Sequence, residues 1–504
     1  MTKIYLNLGI DFGTSFTKVC VRDTDRDRSW VVTFSNGKPA LTQALLPTKL
    51  GISSEGKILA GLTPLEWSKH LEGSYTSIDF IKMRLANLYI HQELEGWQFE
   101  YLSALKISGL DLEDPDTIEN LCAYYLSSVI SKAKAWVLDN NADLVKNQQI
   151  EWSANIGVPV KYCDSKAIDG FGKVLSLAWL LSESHPESTT VNELKQQLKL
   201  LRLEIRDRDD IPCYAIAEVA AAIHSYTASR QATEGVYVFF DVGSGTLEGA
   251  SFRFWRKDEM PRVDFYSGEV EPLGVNALTK CVANGSQEEE IEIEDCITRD
   301  CESLCQAIES LSTRLAKINP IRSGEYIANK LKLSNEATEN ALKQTQLSQE
   351  RRLLHLILGQ RLIHRQVAKV VMITKEKNPN YYSESSTLPI FIAGGGGIVK
   401  FYRDTIESTY LAFGHQYAGV PAYAVKELPP PLGDFSLSGI QPSHFHRFAV
   451  AYGLSIPEAE APEVQLPRLF PILLKQEVRA YSHVRPGEGR QAIDSEYFEC
   501  ELVG

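Results

Sequence analysis

The sequence predicts an α/β protein whose fold is duplicated into two lobes, and three observations lead to this class. A glycine-rich run at residues 9–18 has a near copy at residues 241–249, and each copy follows an apolar strand. Strand patterns alternate with helical patterns along the chain, as an α/β protein requires. A chain of 504 residues with 44% hydrophobic content can bury substantial cores in two or more domains.

The first glycine-rich run follows a predicted strand at residues 4–10. Asp11 ends that strand, and Gly13, Thr14 and Ser15 follow it. Glycine lets backbone N–H groups curl around phosphate oxygens, and hydroxyl side chains add further donors. A carboxylate at the strand end can hold Mg²⁺ through the waters of the ion. We therefore expect a phosphate loop here, with Lys18 beyond it as a residue that only caps the next strand.

The segment between the two copies completes the first predicted lobe, residues 1–233. It contains a peripheral insert at about 40–148, which reads as helical around 117–138, where apolar residues recur at helical spacing. Residues 150–159 predict a strand that ends in Val-Pro. The stretch 182–210 is polar and charged, and we interpret it as an excursion over the surface.

The second glycine-rich run opens the second predicted lobe, residues 234–456. It follows a strand at 236–240 and has the same order of residue types: Asp241, Gly243, Ser244, Gly245 and Thr246. One such run alone is equally well explained as a strand-to-strand turn. The duplication favours a nucleotide held between two lobes, with Asp241 as a second holder of Mg²⁺.

The remaining chain predicts a helical subdomain and a separate tail. The subdomain covers about 275–385, and its acidic run 288–295 is typical of a solvated helix face. Residues 457–504 form the tail, in which two alternating runs flank a Pro-Gly turn, so we expect a β-hairpin there.

Composition limits the class of partner. A net charge of −13 argues against a general nucleic-acid-binding surface. No apolar run approaches the roughly 20 residues that span a bilayer, and no leader pattern precedes the first strand, so we expect a cytoplasmic protein. The nine cysteines lack paired metal-ligand spacing, and the cluster Cys296, Cys301 and Cys305 is better explained by helix core thiols than by zinc.

Five motifs in order resemble the nucleotide-binding domain of the DnaK-type heat-shock protein 70 family, within the actin-like ATPase superfamily. Two are the glycine-rich runs. Residues 216–223 resemble the first connecting helix between the lobes, 388–398 the adenosine-binding strand and loop, and 448–453 the second connecting helix. The resemblance covers residues 4 to about 456. It implies two ribonuclease H-like lobes with ATP or ADP and Mg²⁺ in the cleft between them.

The resemblance also implies roles for single residues. Glu218, which would end the first half of the connecting helix, corresponds to a carboxylate near the metal and the attacking water. Lys82 resembles a lysine that reaches the γ-phosphate, and Glu248 stands where the family has an aspartate near the metal. The adenosine-binding loop would contribute Gly394, Gly395, Gly396 and Gly397.

Two departures separate the chain from a complete chaperone of that family. The residues after the Val-Pro pair include Lys166 in place of a coupling arginine, and the tail has no room for a client-binding domain. We therefore expect a slow ATPase that acts as a chaperone-like switch, read by a separate protein partner through the tail. A filament-forming cytoskeletal ATPase and a non-hydrolysing ATP-binding scaffold remain alternatives.

Overall fold

The computed structural model describes most of the chain up to residue 471. The described residues are 2–35, 37, 39–71, 73–90, 110–112, 114–184, 189–206, 208, 210–283, 287–298, 348–380, 387–413, 420–431, 433–457 and 460–471. The predicted tail hairpin, Cys301 and Cys305 lie outside this part, and of the predicted helical subdomain the structure describes only 275–283, 287–298 and 348–380.

The strands of the described residues belong to three sheets. They are β1 (Thr2–Phe12), β2 (Phe16–Asp23), β3 (Arg28–Val31), β4 (Leu46–Pro47), β5 (Leu50–Ser53), β6 (Ile58–Ala60), β7 (Tyr75–Ile78), β8 (Gln148–Val158), β9 (Cys213–Ala217), β10 (Gly235–Val242), β11 (Leu247–Lys257), β12 (Met260–Glu271), β13 (Thr387–Ala393), β14 (Ala422–Lys426), β15 (Asp434–Ser436) and β16 (Glu463–Gln465).

Helices connect and cover these sheets. They are α1 (Ala40–Gln43), α2 (Pro64–Trp67), α3 (Ile81–Ile90), α4 (Pro115–Asn140), α5 (Ala142–Val145), α6 (Val160–Cys163), α7 (Ala167–Ser184), α8 (Val191–Arg206), α9 (Glu218–Ala222), α10 (His224–Thr227), α11 (Val275–Ala283), α12 (Gln287–Thr298), α13 (Ser348–Lys377), α14 (Lys400–Ser408) and α15 (Ala449–Leu454), with 3₁₀ turns at Thr409–Phe413, Pro442–Arg447 and Pro467–Leu469. The fold is mixed α/β, as predicted.

The two large sheets repeat one topology. In the first sheet, the order is β15-β3-β2-β1-β8-β9. In the second sheet, given in the corresponding direction, the order is β16-β12-β11-β10-β13-β14. Each sheet has an antiparallel unit, β1-β2-β3 or β10-β11-β12. The first strand of the unit also pairs in parallel with a later strand, β8 or β13, and that strand pairs in parallel with the next, β9 or β14. The duplication of the glycine-rich runs is therefore also a duplication of strand order and direction.

The apolar run of β10 is continuous because both faces of its sheet are covered. Tyr237 and Phe239 belong to the large core that contains the first sheet. Val238 and Phe240 belong to a second core, built with α13 and β13. Successive side chains of a strand point to opposite faces, so a strand buried on both sides needs apolar residues at every position.

The short helices α9 and α15 cross at a glycine. A Cβ atom on Gly453 would lie 1.9 Å from the carbonyl oxygen of Ala221, so only glycine allows the two backbones to approach this closely. Carbonyls at the end of α15 accept hydrogen bonds from strand side chains: Asn155 Nδ2 donates to the carbonyl of Leu454, the last residue of the helix, at 2.8 Å, and Asn7 Nδ2 donates to that of the next residue, Ser455, at 2.9 Å. The first sheet thereby fixes the end of α15.

Several sequence predictions can be compared with these elements. The helix expected around 117–138 is α4, and the strand expected at 150–159 is β8. The surface excursion at 182–210 contains the helix α8, which buries Leu194 and Leu198 at i,i+4 spacing. The acidic run 288–295 is helical in α12, with Glu292 and Glu294 exposed. The lobe boundaries remain predictions.

The position predicted for Glu218 within its helix was wrong. Glu218 is the first residue of α9, and Ile216 and Ala217 belong to β9. β9 pairs in parallel with β8 as far as Ala217, so the sheet continues through residues that the Ala-rich pattern assigned to the helix. Glu218 consequently lies at the carboxyl end of a strand.

No helix among the described residues is long and apolar enough to cross a membrane.

Candidate functional site

Both glycine-rich runs form turns between antiparallel strands. The first connects β1 to β2, and the Gly13 N–H donates to the Asp11 carbonyl at 3.0 Å. The second connects β10 to β11, where the Gly243 N–H donates to the Thr246 carbonyl at 2.9 Å. Asp11 and Asp241 therefore occupy equivalent places, each just before the turn of the first hairpin in its sheet.

The two turns meet although they belong to different sheets. Ser15 Oγ and Ser244 Oγ lie 2.6 Å apart and share a hydrogen bond. A Cβ atom on Gly245 would lie 2.5 Å from Thr14 Cγ2, so the side chain of Thr14 rests on the bare backbone of Gly245. The structure thus brings the predicted phosphate-binding residues of both runs into contact.

The third glycine-rich loop reaches the same place through β13. This strand pairs in parallel with β10, with Ala393 opposite Asp241, so the loop that follows it begins beside Asp241. Gly394 has φ +81°, and a Cβ there would lie 2.0 Å from Asp241 Oδ1. The Gly396 N–H donates to the Val242 carbonyl at 2.8 Å, which fixes the loop against the second turn.

Lys82 and Glu218 form a buried ion pair. Lys82 Nζ lies 2.5 Å from Glu218 Oε1, and the two residues are only 9% and 6% exposed. Lys82 is carried by α3, in the predicted insert, and Glu218 begins α9. Gly157 makes room for the carboxylate, because a Cβ at that position would lie 2.6 Å from Glu218 Cγ. Residues far apart in the sequence are therefore positioned together.

Lys18 also belongs to the site, which corrects the interpretation that it only caps a strand. It lies opposite Asp11 in the β1–β2 register, and its Nζ pairs with Asp11 Oδ2. The signal that identifies it is the hairpin itself: once the turn is placed at Gly13–Ser15, Asp11 and Lys18 become cross-strand neighbours.

Glu248 occupies the corresponding position in the second hairpin, opposite Asp241. It is 4% exposed, and its Oε1 accepts a hydrogen bond of 2.8 Å from the backbone N–H of Val160. The first hairpin thus pairs an aspartate with a lysine, whereas the second places two carboxylates opposite one another.

Burial and mutual repulsion favour the neutral forms of these carboxyl groups. Burial raises the pKa of Asp241 to about 6, and the charges of Asp11 and Glu218 add to the effect while that of Lys18 opposes it. Burial also raises the pKa of Glu218, despite the attraction of Lys82. The pKa of Glu248 lies well above its usual value, because of burial and then the charge of Glu218.

For Lys82, in contrast to the carboxyl groups, the surroundings favour the charged form. Burial alone would lower its pKa, but the attraction of Glu218 and Asp11 outweighs burial and raises it, so Lys82 is held as a cation. Four carboxyl groups thus converge on two lysines: Asp11, Asp241, Glu218 and Glu248 on Lys18 and Lys82. The excess of carboxylates makes this a place where an added cation would be stabilised.

The excess of carboxylates does not by itself make a site at which protein side chains alone ligate a metal ion. Within the described ranges, no group of three or more His, Cys, Asp or Glu side chains is arranged to hold a metal ion by itself. A metal at the site would therefore need water or substrate oxygens among its ligands, which is how Mg²⁺ is usually bound.

The comparisons with known proteins assign no family. No protein-family model matches the chain, and no curated protein sequence matches it.

Proposed function

We propose that this chain binds Mg²⁺-ATP between its two glycine-rich turns and hydrolyses it slowly, as a nucleotide-controlled switch of actin-like, two-lobed design. The observation that carries the proposal is the 2.6 Å contact between Ser15 Oγ and Ser244 Oγ, which joins equivalent turns of two sheets with the same topology. A nucleotide polyphosphate is a ligand that two such turns can hold from both sides.

The residues of the turns provide the donors that phosphate requires. Backbone N–H groups of Thr14 and Ser15 would bind one side of the polyphosphate, and those of Ser244–Thr246 the other. The N–H groups of Gly13 and Gly243 would keep the hydrogen bonds that shape the turns. The two turns lie close together at Gly245 and Thr14. A side chain larger than that of glycine at position 245 would fill the space between them. Gly394–Gly397 would bind the adenosine end, beside Asp241.

The excess of carboxylates fits Mg²⁺ bound through water. Asp11 and Asp241 would accept hydrogen bonds from the ion's waters, with Glu248 close by in register with Asp241. The bound ion would supply positive charge to the phosphoryl group in transfer. Its arrival would also favour the ionised form of Asp241, whose pKa burial raises to about 6.

Glu218 and Lys82 suit hydrolysis by their charges. The raised pKa of Glu218 suits a carboxylate that takes a proton from water near neutral pH. Lys82, held as a cation by that same carboxylate, would stabilise negative charge on the phosphoryl oxygens. The ion pair would hold the Lys82 ammonium and the Glu218 carboxylate together beside the phosphoryl group in transfer.

The switch part of the proposal rests on the crossing of α9 and α15. Glu218 begins α9, and Gly453 of α15 lies against Ala221 of the same helix. A shift of Glu218 on hydrolysis would therefore act on the crossing within one turn of helix. We propose that a separate protein partner reads this change through residues 457–504.

The test is ATP turnover by the purified full chain, with Asp241→Asn and Glu218→Gln beside the wild type, and with Mg²⁺ present or chelated. Asp404→Asn is the matched control, because Asp404 is partly exposed and pairs with Lys400, four residues earlier on α14. We expect slow, Mg²⁺-dependent turnover that falls at least tenfold in both site variants and is unchanged in the control.

Sedimentation of the same samples separates the alternatives. ATP-dependent pelleting would replace the switch with a filament-forming ATPase. Tight ATP binding without turnover would favour a scaffold, and no binding at all would overturn the proposal.

A further inference from the structure

Arg447 lies against the third glycine-rich loop. It ends the 3₁₀ turn Pro442–Arg447, immediately before α15. Its Nη2 lies 3.1 Å from the place where a Cβ of Gly395 would stand, so the guanidinium covers the bare backbone of that loop. This contact places Arg447 one residue away from Gly394, which touches Asp241.

The guanidinium is partly buried without an acidic partner. Within the part of the chain that the structure describes, the Arg447 side chain makes no ion pair or hydrogen bond with another protein group. Burial lowers the pKa of Arg447, and no carboxylate opposes this effect. Most partly buried arginines pair with a carboxylate, because the ion pair compensates for the hydration that the charge loses on burial.

The charged groups that act on His446, the residue before Arg447, are positive. The pKa of His446 is lowered by burial, and Arg447, His444 and Lys18 lower it further as positive charges. His446 Nδ1 lies 2.9 Å from the Ser443 carbonyl, which can only accept, so Nδ1 carries the proton and Nε2 is an acceptor. Nε2 is buried and has no partner among the described residues. Arg447 therefore presents cationic N–H donors, and the neighbouring His446 presents Nε2 as an acceptor without a partner among the described residues.

We propose that Arg447 contacts the bound nucleotide directly and binds its phosphate, as a specificity-determining residue of the site. The inference rests on the proposed function and deepens it. The guanidinium has no carboxylate partner among the described residues, and the loop that it covers is fixed to the second phosphate-binding turn by the hydrogen bond from Gly396 to Val242. Its natural partner is therefore a phosphate oxygen, which it can contact through two N–H groups. A neutral nucleoside would not supply the missing negative charge.

The proposal predicts opposite effects of one substitution on stability and on binding. Arg447→Gln removes an unpaired charge, so we expect the protein without nucleotide to melt at the same or a higher temperature. The same variant should bind ADP about ten- to a hundredfold more weakly, because a charge-assisted hydrogen bond is lost. Adenosine, which lacks phosphate, should bind the variant and the wild type equally.

The experiment is calorimetric titration of ADP and of adenosine into the full-length wild type, Arg447→Gln, and the control Arg403→Gln. Arg403 is exposed on α14 and pairs with Glu407, so its loss should change neither affinity. A lower thermal stability of Arg447→Gln, or equal ADP affinities in wild type and variant, would overturn the role of Arg447 while the proposed function stands. No binding of ADP to the wild type would overturn both.

Discussion

At the scale of single residues, the site is an arrangement of buried charges that raises the free energy of the folded protein. Asp241 gives the clearest case, because its pKa rises to about 6 while an unfolded aspartate titrates near about 3.9. The folded state binds the proton more tightly, so the stability associated with that proton is complete at low pH. It is lost as the pH rises from about 4 through about 6.

The first prediction follows from the direction in which stability changes with pH. In the absence of Mg²⁺ and nucleotide, Asp241→Asn should become more stable relative to the wild type as the pH rises from 4.5 to 7.5, by about 2 kcal/mol. Urea unfolding of both proteins at several pH values measures the difference. Asp404→Asn, at a partly exposed site on α14, should show no such trend, and a pH-independent difference for Asp241→Asn would contradict the account.

The second prediction concerns the ion pair of Lys82 and Glu218. Lys82→Met leaves a buried carboxylate without its cation and should reduce the free energy of unfolding by about 3 kcal/mol. Adding Glu218→Gln should recover most of that loss, since no unpaired charge remains. A double-mutant cycle by urea unfolding measures the coupling, and additive losses in the double variant would show that the two side chains act independently.

At the scale of elements, the sequence predicted the helices and strands that have strong local periodicity. α4 and β8 were found where the pattern placed them. The start of α9 was misplaced because strand pairing with β8, a long-range interaction, holds Ile216 and Ala217 extended against the helix propensity of the Ala-rich run. The role of Lys18 was missed for a related reason: cross-strand neighbours depend on register, which periodicity alone does not give.

The third prediction tests the crossing of α9 and α15. Gly453→Ala places a methyl group 1.9 Å from the Ala221 carbonyl oxygen, so the backbones must separate and we expect a loss of at least about 2 kcal/mol of unfolding free energy. Gly172→Ala in α7 is the matched control. Its added Cβ meets only Ala215 Cβ at 3.9 Å, so it should stabilise by about 0.5–1 kcal/mol through helix propensity. Equal effects of the two substitutions would contradict the close crossing.

At the scale of the whole molecule, the repeated strand order of the two large sheets explains why the site is built from distant parts of the sequence. Equivalent turns carry Asp11 and Asp241, and a third loop joins them through the pairing of β13 with β10. The first two loops were predicted from their glycines and hydroxyl groups, and the third from its resemblance to an adenosine-binding loop. It did not predict Arg447, because the contact with Gly395 depends on how a turn before α15 packs on a loop some fifty residues earlier.

The central claim is that one nucleotide lies against all three loops, and hydrogen–deuterium exchange with and without Mg²⁺-ATP tests it most directly. Backbone amides that bind phosphate, or that are ordered by it, exchange more slowly. The account predicts that ATP slows exchange together in peptides covering residues 11–17, 241–249 and 393–399. Protection confined to one of these segments, or absent from all three at saturating ATP, would contradict it.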